Sequence, residues 1–434
     1  MSPGDPHDPG NPHDPANDAD REALVRRRAE KDGPLRRRLL LVFAHALRDL
    51  RQSPDAIRSS LRAARDLSSV ERRFLGDAVH ELVRLRRRLV FLAGGEAPEL
   101  LLDQLLADHR DPARSLARLA AIADPLERLA VTTSYPDFLV ARWAAEYGPA
   151  GAAALAEAMN RRAPLTVRAN RLKATRDELA GRLGALGIAT RPTALSQDGL
   201  TLLTRQNVLS MAPFRDGWME LQDEGSQLIA ELCAPPPRGT VIDACAGAGG
   251  KTLALGALLG NAGRLFAYDV SPAKLDELKL RARRAGLTNV QAVVVRGGPP
   301  DSARPADRVL LDVPCSGTGA LRRNPESRWR LAERDLRELG EKQRAILEAY
   351  ADLVVPGGRL IYATCSVLDE ENAAVVDAFL GSHPSFEAVP VKEIVGRERA
   401  LAMGDGEALR LLPHLHGTDG FYARVLRRRR APAP

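Results

Sequence analysis

The stretch Thr240-Val-Ile-Asp-Ala-Cys-Ala-Gly-Ala-Gly-Gly-Lys-Thr252 decides how this chain is read. A short strand pattern, Thr240–Asp243, runs into a glycine-rich turn, and an apolar helical run, Lys251–Leu259, follows at once. Glycines there let the backbone approach a ligand, and the helix start offers free N–H groups. Two familiar phosphate-binding patterns each miss by one residue. A P-loop needs glycine where Cys245 stands, and a dinucleotide fingerprint beginning at Gly247 needs glycine where Thr252 stands.

Working outward, strand and helix patterns alternate from about Gln222. Candidate strands are Thr240–Asp243, Arg264–Tyr268, Val290–Val295, Arg308–Asp312, Arg359–Ala363, Phe386–Val391 and Phe421–Leu426. Helical patterns fall between them at Lys251–Leu259, Pro272–Ala285, Ala332–Leu353 and Glu370–Leu380. Such alternation implies a doubly wound, mostly parallel sheet that binds ligands at the carboxyl ends of its strands. Upstream, Leu165–Asn170, Arg176–Leu186, Ile188–Thr190 and Leu200–Leu203 read as a small β-α-β-β module. From Pro34 to about Tyr147 the pattern is helical. Leu39, Leu40, Val42, Phe43, Ala46 and Leu47 recur at helical spacing, as do Leu75, Val79, Leu82, Val83, Leu85, Leu89, Val90 and Leu92. Arginines fill the opposite faces, which read equally as RNA-binding surfaces or as solvated ones. The first residues, rich in Pro, Asp and Gly with His-Asp-Pro at His7–Pro9 and His13–Pro15, read as a disordered tail.

Composition agrees. A chain of 434 residues with 44% hydrophobic and 27% charged residues has the make-up of about three globular domains. The formal charge of +7 suits a polyanionic partner. Aromatic residues are only 4%, which argues against an array of base-stacking rings. No apolar run approaches the ~20 residues of a membrane span, and no secretory leader opens the chain. Cys233, Cys245, Cys315 and Cys365 form no CxxC pair, so free thiols in a reducing cytoplasm are expected, without structural zinc.

Three further places carry chemistry. Asp269 ends the second strand about 20 residues beyond the glycine loop, where an acid hydrogen-bonds ribose hydroxyls; alone, it reads equally as a helix cap before Pro272. Loop and acid together point to a nucleoside cofactor without a pyrophosphate, a description that S-adenosylmethionine fits. Asp312-Val-Pro-Cys315-Ser-Gly-Thr-Gly and Thr364-Cys365-Ser end two later strands. If those strands are neighbours, both thiols and Asp312 face one cleft. A lone cysteine is usually structural, but two at matching strand ends beside a carboxylate point to a nucleophile.

These residues together resemble the S-adenosylmethionine-dependent RNA 5-methylcytosine methyltransferases. The likeness lies in Asp243–Thr252, in Asp312–Gly319 with Leu321-Arg-Arg-Asn-Pro, in Thr364-Cys-Ser with Glu370-Glu-Asn372, and in Asp419-Gly-Phe. Upstream, Ser134-Tyr-Pro-Asp, Trp143, Val167-Arg-Ala-Asn170 and Gln222–Gln227 are similar to the bacterial branch that modifies small-subunit ribosomal RNA, the RsmB/Sun type. The resemblance implies a tail over 1–33, an all-α NusB-like RNA-binding bundle over 34–147, a small α+β RNA-recognition-like module over 148–221, and an α/β Rossmann-like catalytic domain with a seven-stranded sheet over 222–430. It implies Cys365 as nucleophile, Cys315 as the cysteine that assists product release, and Asp312 at the cytosine ring. Cys245, Ala246, Gly247, Ala248, Gly249, Gly250, Lys251, Asp269 and Asp312 would form the cofactor site. The expected enzyme acts on 16S rRNA as a cytoplasmic monomer with no membrane partner; transfer RNA, large-subunit RNA and a catalytically decayed assembly factor are the alternatives. Two departures from the family stand out. Ala248 replaces a frequent proline, and the third strand ends Val295-Arg-Gly-Gly-Pro-Pro with Gly298 where the family carries an aspartate for the adenine amine. Asp301 is the nearest acid in the loop that follows.

Overall fold

The structure is a computed structural model that describes residues 29–30, 33–48, 59–60, 63–64, 67–204 and 207–430. Residues 1–28, on which most of the expected tail falls, lie outside the described residues. Two compact units are formed. One comprises residues up to Asn160 together with Asn324–Leu331; the other comprises Arg161–Arg323 and the chain from Ala332 onward.

The first unit is helical, with its longer helices at Pro34–Arg48, Ser69–Arg84, Arg86–Ala93, Pro98–Arg110 and Asp137–Asn160. The apolar faces read from sequence meet here: Leu39, Phe43, Leu75, Val79, Leu82 and Leu89 are all fully buried in one core with Leu101, Leu102 and Leu105. Ser68 caps the second of these helices through a reciprocal pair of bonds with Glu71. The last helix breaks at Gly148 (φ 72°, ψ 166°) beside Pro149, the place expected for a domain boundary, and the unit continues to Asn160. The reason is Asn160 itself, whose Nδ2 donates to Thr133 O at 2.6 Å and whose Oδ1 accepts from the buried Tyr135 hydroxyl at 3.2 Å. Several arginines are engaged within the unit: Arg36 with Asp103, Arg86 with Glu96, Arg87 with Asp137 and Arg88 with Asp108.

The segment Asn324–Leu331 completes this unit. Arg328 is fully buried. Its guanidinium lies 3.9 Å from the Tyr135 ring centre and donates to Ser134 O (3.1 Å) and Asn160 Oδ1 (2.9 Å). Burial lowers its pKa to about 10, still far above neutrality. Trp329 adds an Nε1–H bond to Val83 O at 2.6 Å.

The second unit holds two sheets. The smaller contains β1 (Leu165–Ala169), β2 (Thr190–Pro192), β3 (Gly199–Leu202) and β4 (Met219–Leu221) in the antiparallel order β2-β3-β1-β4, with the helix Arg176–Ala185 against it. The expected β-α-β-β pattern is therefore extended by a fourth strand. The larger sheet contains β5 (Thr240–Asp243), β6 (Arg264–Asp269), β7 (Val290–Val294), β8 (Ala306–Asp312), β9 (Val354–Thr364), β10 (Phe386–Val389), β11 (Leu409–Leu411) and β12 (Phe421–Arg428). All seven candidate strands lie on one path, β10-β12-β9-β8-β5-β6-β7.

The expected seven-stranded, mostly parallel sheet needs correcting in two respects. Three-residue β11 pairs with β12 as an eighth strand, and both β10 and β11 run antiparallel to β12, which is itself antiparallel to β9. The sheet is mixed because β12 enters between β9 and β10 and runs antiparallel to both. Arg427 and Arg428 belong to β12, and Arg427 pairs with Glu387 across the sheet edge. Among the described residues, no helix is long and apolar enough to cross a membrane.

The two sheets are tied by buried polar groups. Asn170, 2% exposed, donates to Gly217 O and to Ala285 O at 2.8 Å each, and Glu220 binds both Arg281 and Arg284. Asn170→Ala would leave two buried carbonyls without a donor. We expect a loss of about 1–3 kcal/mol in urea unfolding of the full chain.

Candidate functional site

The glycine loop leaves β5 and enters the helix Gly250–Leu258, as read from sequence. Its shape is fixed by backbone bonds. Ala246 N–H donates to Tyr268 O (2.9 Å), Gly249 N–H to Ala246 O (2.9 Å), and Arg281 reaches Ala248 O (2.8 Å). Asp269 terminates β6 against this loop. One carboxylate oxygen accepts from Gly247 N–H and the other from Ser271 N–H, both at 2.8 Å. Asp269 thus braces the turn before Pro272 and faces the loop, while the cap of the following helix is Ser271, whose hydroxyl accepts from Lys274 N–H. Gly247 adopts φ +54°, and a side chain there would meet no atom within 4 Å, so open space lies over the loop. Cys245 is half-buried at its start, with its thiol raised to about 12 by burial first and then by the charges of Asp243, Asp312 and Asp269.

Parallel pairing of β8 with β9 sets Asp312 opposite Ala363, so the strands end level. The thiols that follow them meet: Cys315 Sγ lies 3.3 Å from Cys365 Sγ. The two cysteine loops are also joined by backbone. Gly319 N–H donates to Cys365 O (2.9 Å) and Gly420 N–H to Gly319 O (2.8 Å). A Cβ on Gly319 would fall 2.1 Å from Gly420 O, so only glycine permits this approach.

Asp312 completes the cluster. Lys251 Nζ lies 2.6 Å from its Oδ2, with the lysine side chain 9% exposed. Burial works against the lysine charge. The carboxylate of Asp312 and its hydrogen bond outweigh burial, aided by Cys365 and Asp243, and hold the lysine above its usual value. Sequence reading assigned Lys251 to the cofactor loop and Asp312 to the cytosine ring; the structure joins them as one pair.

Sequence reading did not single out Glu371, Gln343 or Asp223. Glu371 is fully buried and accepts from Ser316 N–H (2.8 Å), from the Ser316 hydroxyl and from Gln343 Nε2 (3.0 Å). Its place in the quoted Glu370-Glu-Asn372 run was the available signal. Asp419, quoted only as part of a motif, accepts from the side chains of Arg322 and Arg323, and Asp223 pairs with Arg323 at 2.8 Å. Both arginines of this segment are thus engaged by carboxylates: Arg322 is 6% exposed and locks two loops together, while Arg323 stays exposed at the surface. Asp301 is exposed in the loop before β8. Cys233 is buried in the apolar core beneath β5, away from the strand ends.

Asp243 at the end of β5 is buried, accepts from the Thr252 hydroxyl at 2.7 Å, and among the described residues has no partner for Oδ1. Burial first, then the charge of Asp312, raises its pKa to about 7. The unfolded value is near 4. Its contribution to stability is therefore fully present below about pH 4 and is lost as pH rises through about 7. Thermal melts of the wild type against Asp243→Asn should show the wild type losing ground steadily over that window and no further change above it. Parallel curves would contradict the buried, proton-holding state.

The family model for 16S rRNA methyltransferase RsmB/F matches residues 230–427, and the model for the RsmF/B-like ferredoxin-like domain matches 135–209. A Bacillus subtilis protein named probable ribosomal RNA small subunit methyltransferase B is 36% identical over 313 residues, covering 71% of this chain and 70% of that one. Among solved structures, PH0851 aligns with a TM-score of 0.76 at 26% identity, over 92% of this chain and 100% of that one. A methyltransferase homolog protein from Pyrococcus horikoshii aligns with a TM-score of 0.61 at 26% identity, over 71% of this chain and 100% of that one. With a catalytic-domain match across the glycine loop and both cysteine loops, and relatedness over most of its length, the chain belongs to the RsmB/F family of S-adenosylmethionine-dependent methyltransferases.

Proposed function

We propose that this protein methylates carbon 5 of a cytosine in 16S rRNA through a covalent cysteine–cytosine adduct. The observation that carries the reading is the pair of thiols 3.3 Å apart at level strand ends, beside the Lys251–Asp312 pair. S-adenosylmethionine, when bound, supplies an electrophilic methyl group. The residues present suit it: Asp269 offers lone pairs for ribose hydroxyls, the open space over Gly247 accepts a ligand, and the orphaned Asp243 Oδ1 suits a donor such as an α-ammonium. Cys245–Lys251 and Asp269 form its side of the cleft. No carboxylate ends β7, so the adenine amine would be met by Asp301 or by backbone.

Carbon 5 of cytosine is a poor nucleophile. In our reading the Cys365 thiolate adds to carbon 6, forming a C–S bond and shifting electron density to carbon 5. Asp312 meets the ring nitrogen or exocyclic amine, and the Lys251 cation steadies the negative charge that develops on the ring. Once carbon 5 has taken the methyl group, Cys315 relays its proton, receiving it as its own thiol proton passes to the departing Cys365 sulfur, and the C–S bond breaks to free Cys365. The target must be splayed out of its stack to reach such a cleft.

The domain roles are part of the same proposal. The helical unit over about 34–147 is read as a NusB-like RNA-binding domain, followed by a recognition module to 221 and the catalytic domain to 430. The enzyme is read as a cytoplasmic monomer whose partner is small-subunit rRNA. The basic excess supports an RNA partner, and the four-stranded antiparallel sheet supports the module.

Bisulfite mapping of rRNA from cells lacking the gene should show one lost 5-methylcytosine in 16S rRNA; an unchanged map sinks the reading. In vitro, Cys365→Ala should abolish both transfer and adduct. Cys315→Ala should accumulate the adduct as a slow band on a denaturing gel. Equal adduct from both variants would overturn the assignment of roles.

A further inference from the structure

The reaction proposed above needs two neighbouring thiols to behave differently, although both are half-buried cysteines at the ends of paired strands. The groups around them are distributed unequally. Lys251, from the helix after the glycine loop, carries the nearby cation and responds to Cys365 among its neighbours. Asp312 is engaged with that lysine. On the other side Glu371 grips Ser316, the residue next to Cys315, through both its backbone N–H and its hydroxyl. Gln343 supplies a third donor. These three donors converge on the two carboxyl oxygens of one side chain. Among the described residues no cation pairs with Glu371. Other titratable groups nearby include Tyr362 on β9, whose hydroxyl donates to Glu371 O, Asp369 and Glu370 in the same short turn, and Arg344 on the helix Glu333–Ala351, whose charge acts on Tyr362.

We propose that Glu371 is a positioning residue that keeps the proton on Cys315, so that Cys365 is the sulfur left free to attack. It touches neither substrate nor reacting atom. It acts by fixing Ser316, and so the 3.3 Å approach of the sulfurs, and by placing an uncompensated negative charge beside Cys315. The Cys315 thiol then donates to the Cys365 sulfur. In support, the Cys315 thiol is raised well above the usual value, first by its hydrogen bond with Cys365, then by burial and by the charges of Cys365 and Glu371. This assignment deepens the methyltransferase reading and rests on it for its meaning, but its chemistry needs neither RNA nor cofactor.

The test is iodoacetamide labelling of the full-length protein from about pH 6 to about pH 10, with the rate at each cysteine read by peptide mass spectrometry. In the wild type Cys365 should label about tenfold or more faster than Cys315, one pKa unit being tenfold in thiolate. Glu371→Gln should shrink that ratio about fivefold or more by speeding Cys315, and Glu371→Asp should restore most of it. Simple loosening of the cleft would speed both cysteines together and leave the ratio unchanged; a Glu371→Gln ratio within about twofold of wild type overturns the proposal. Should Glu371→Gln fail to fold, Lys251→Met decides: the ratio must fall through a slower Cys365 alone, and an unchanged Cys365 rate overturns it. A normal labelling pattern with an unchanged rRNA map would reject the function and leave the charge assignment standing; the reverse result would reject only the assignment.

Discussion

The site depends on the parallel pairing of β8 with β9. Their register ends both strands at one level, so the cysteine loops leave side by side. Two backbone bonds, Gly319 to Cys365 and Gly420 to Gly319, then prevent the loops from drifting apart. The second bond comes from the turn before β12, which is antiparallel to β9, so the mixed part of the sheet also braces the site. Nothing in this arrangement requires a flexible segment to close before the sulfurs meet. The thiol pair is built on rigid elements, where its geometry is held most accurately.

Much of this was legible in the sequence because it is local. All seven strands of the main path follow from apolar runs of ordinary strand length, and the helix Pro272–Ala285 has a serine cap, an initial proline and a closing Gly286 in the left-handed region. What was not legible is short or distant. β4 and β11 have three residues each and exist only because a longer strand is present to pair with them. The Arg322–Asp419 contact spans 97 positions, and no spacing rule reaches that far. The same is true of Arg328, which follows the cysteine motif by a few residues yet is buried in the helical unit against Tyr135.

Charge reading was the least transferable part. A surplus of +7 suggests basic surface, but a protein rich in arginine spends many of those groups internally. Arg322, Arg323, Arg281, Arg284 and the run Arg86–Arg88 all bind carboxylates of their own unit. A guanidinium forks across two acceptors, which suits it to such joints as well as to phosphate. Net charge therefore says little about which arginines face RNA, and burial decides it residue by residue.

The two buried acids beside the cleft show how local donors, more than depth, govern charge. Asp243 receives one hydroxyl and keeps an oxygen unpartnered, so burial raises it to about 7. Glu371, equally buried, receives three donors, which offset the loss of water around a carboxylate. Neither acid can relax by turning outward, because Thr252 and Ser316 hold them from elements that the sheet fixes. The cleft thus separates an acid poised to hold a proton from one gripped by three donors, with the lysine–aspartate pair and the two sulfurs beside them. Chemistry that moves a proton on and off one thiol while the other forms and breaks a bond to carbon calls for that separation. It follows from hydrogen-bond counts that no alignment of motifs would reveal.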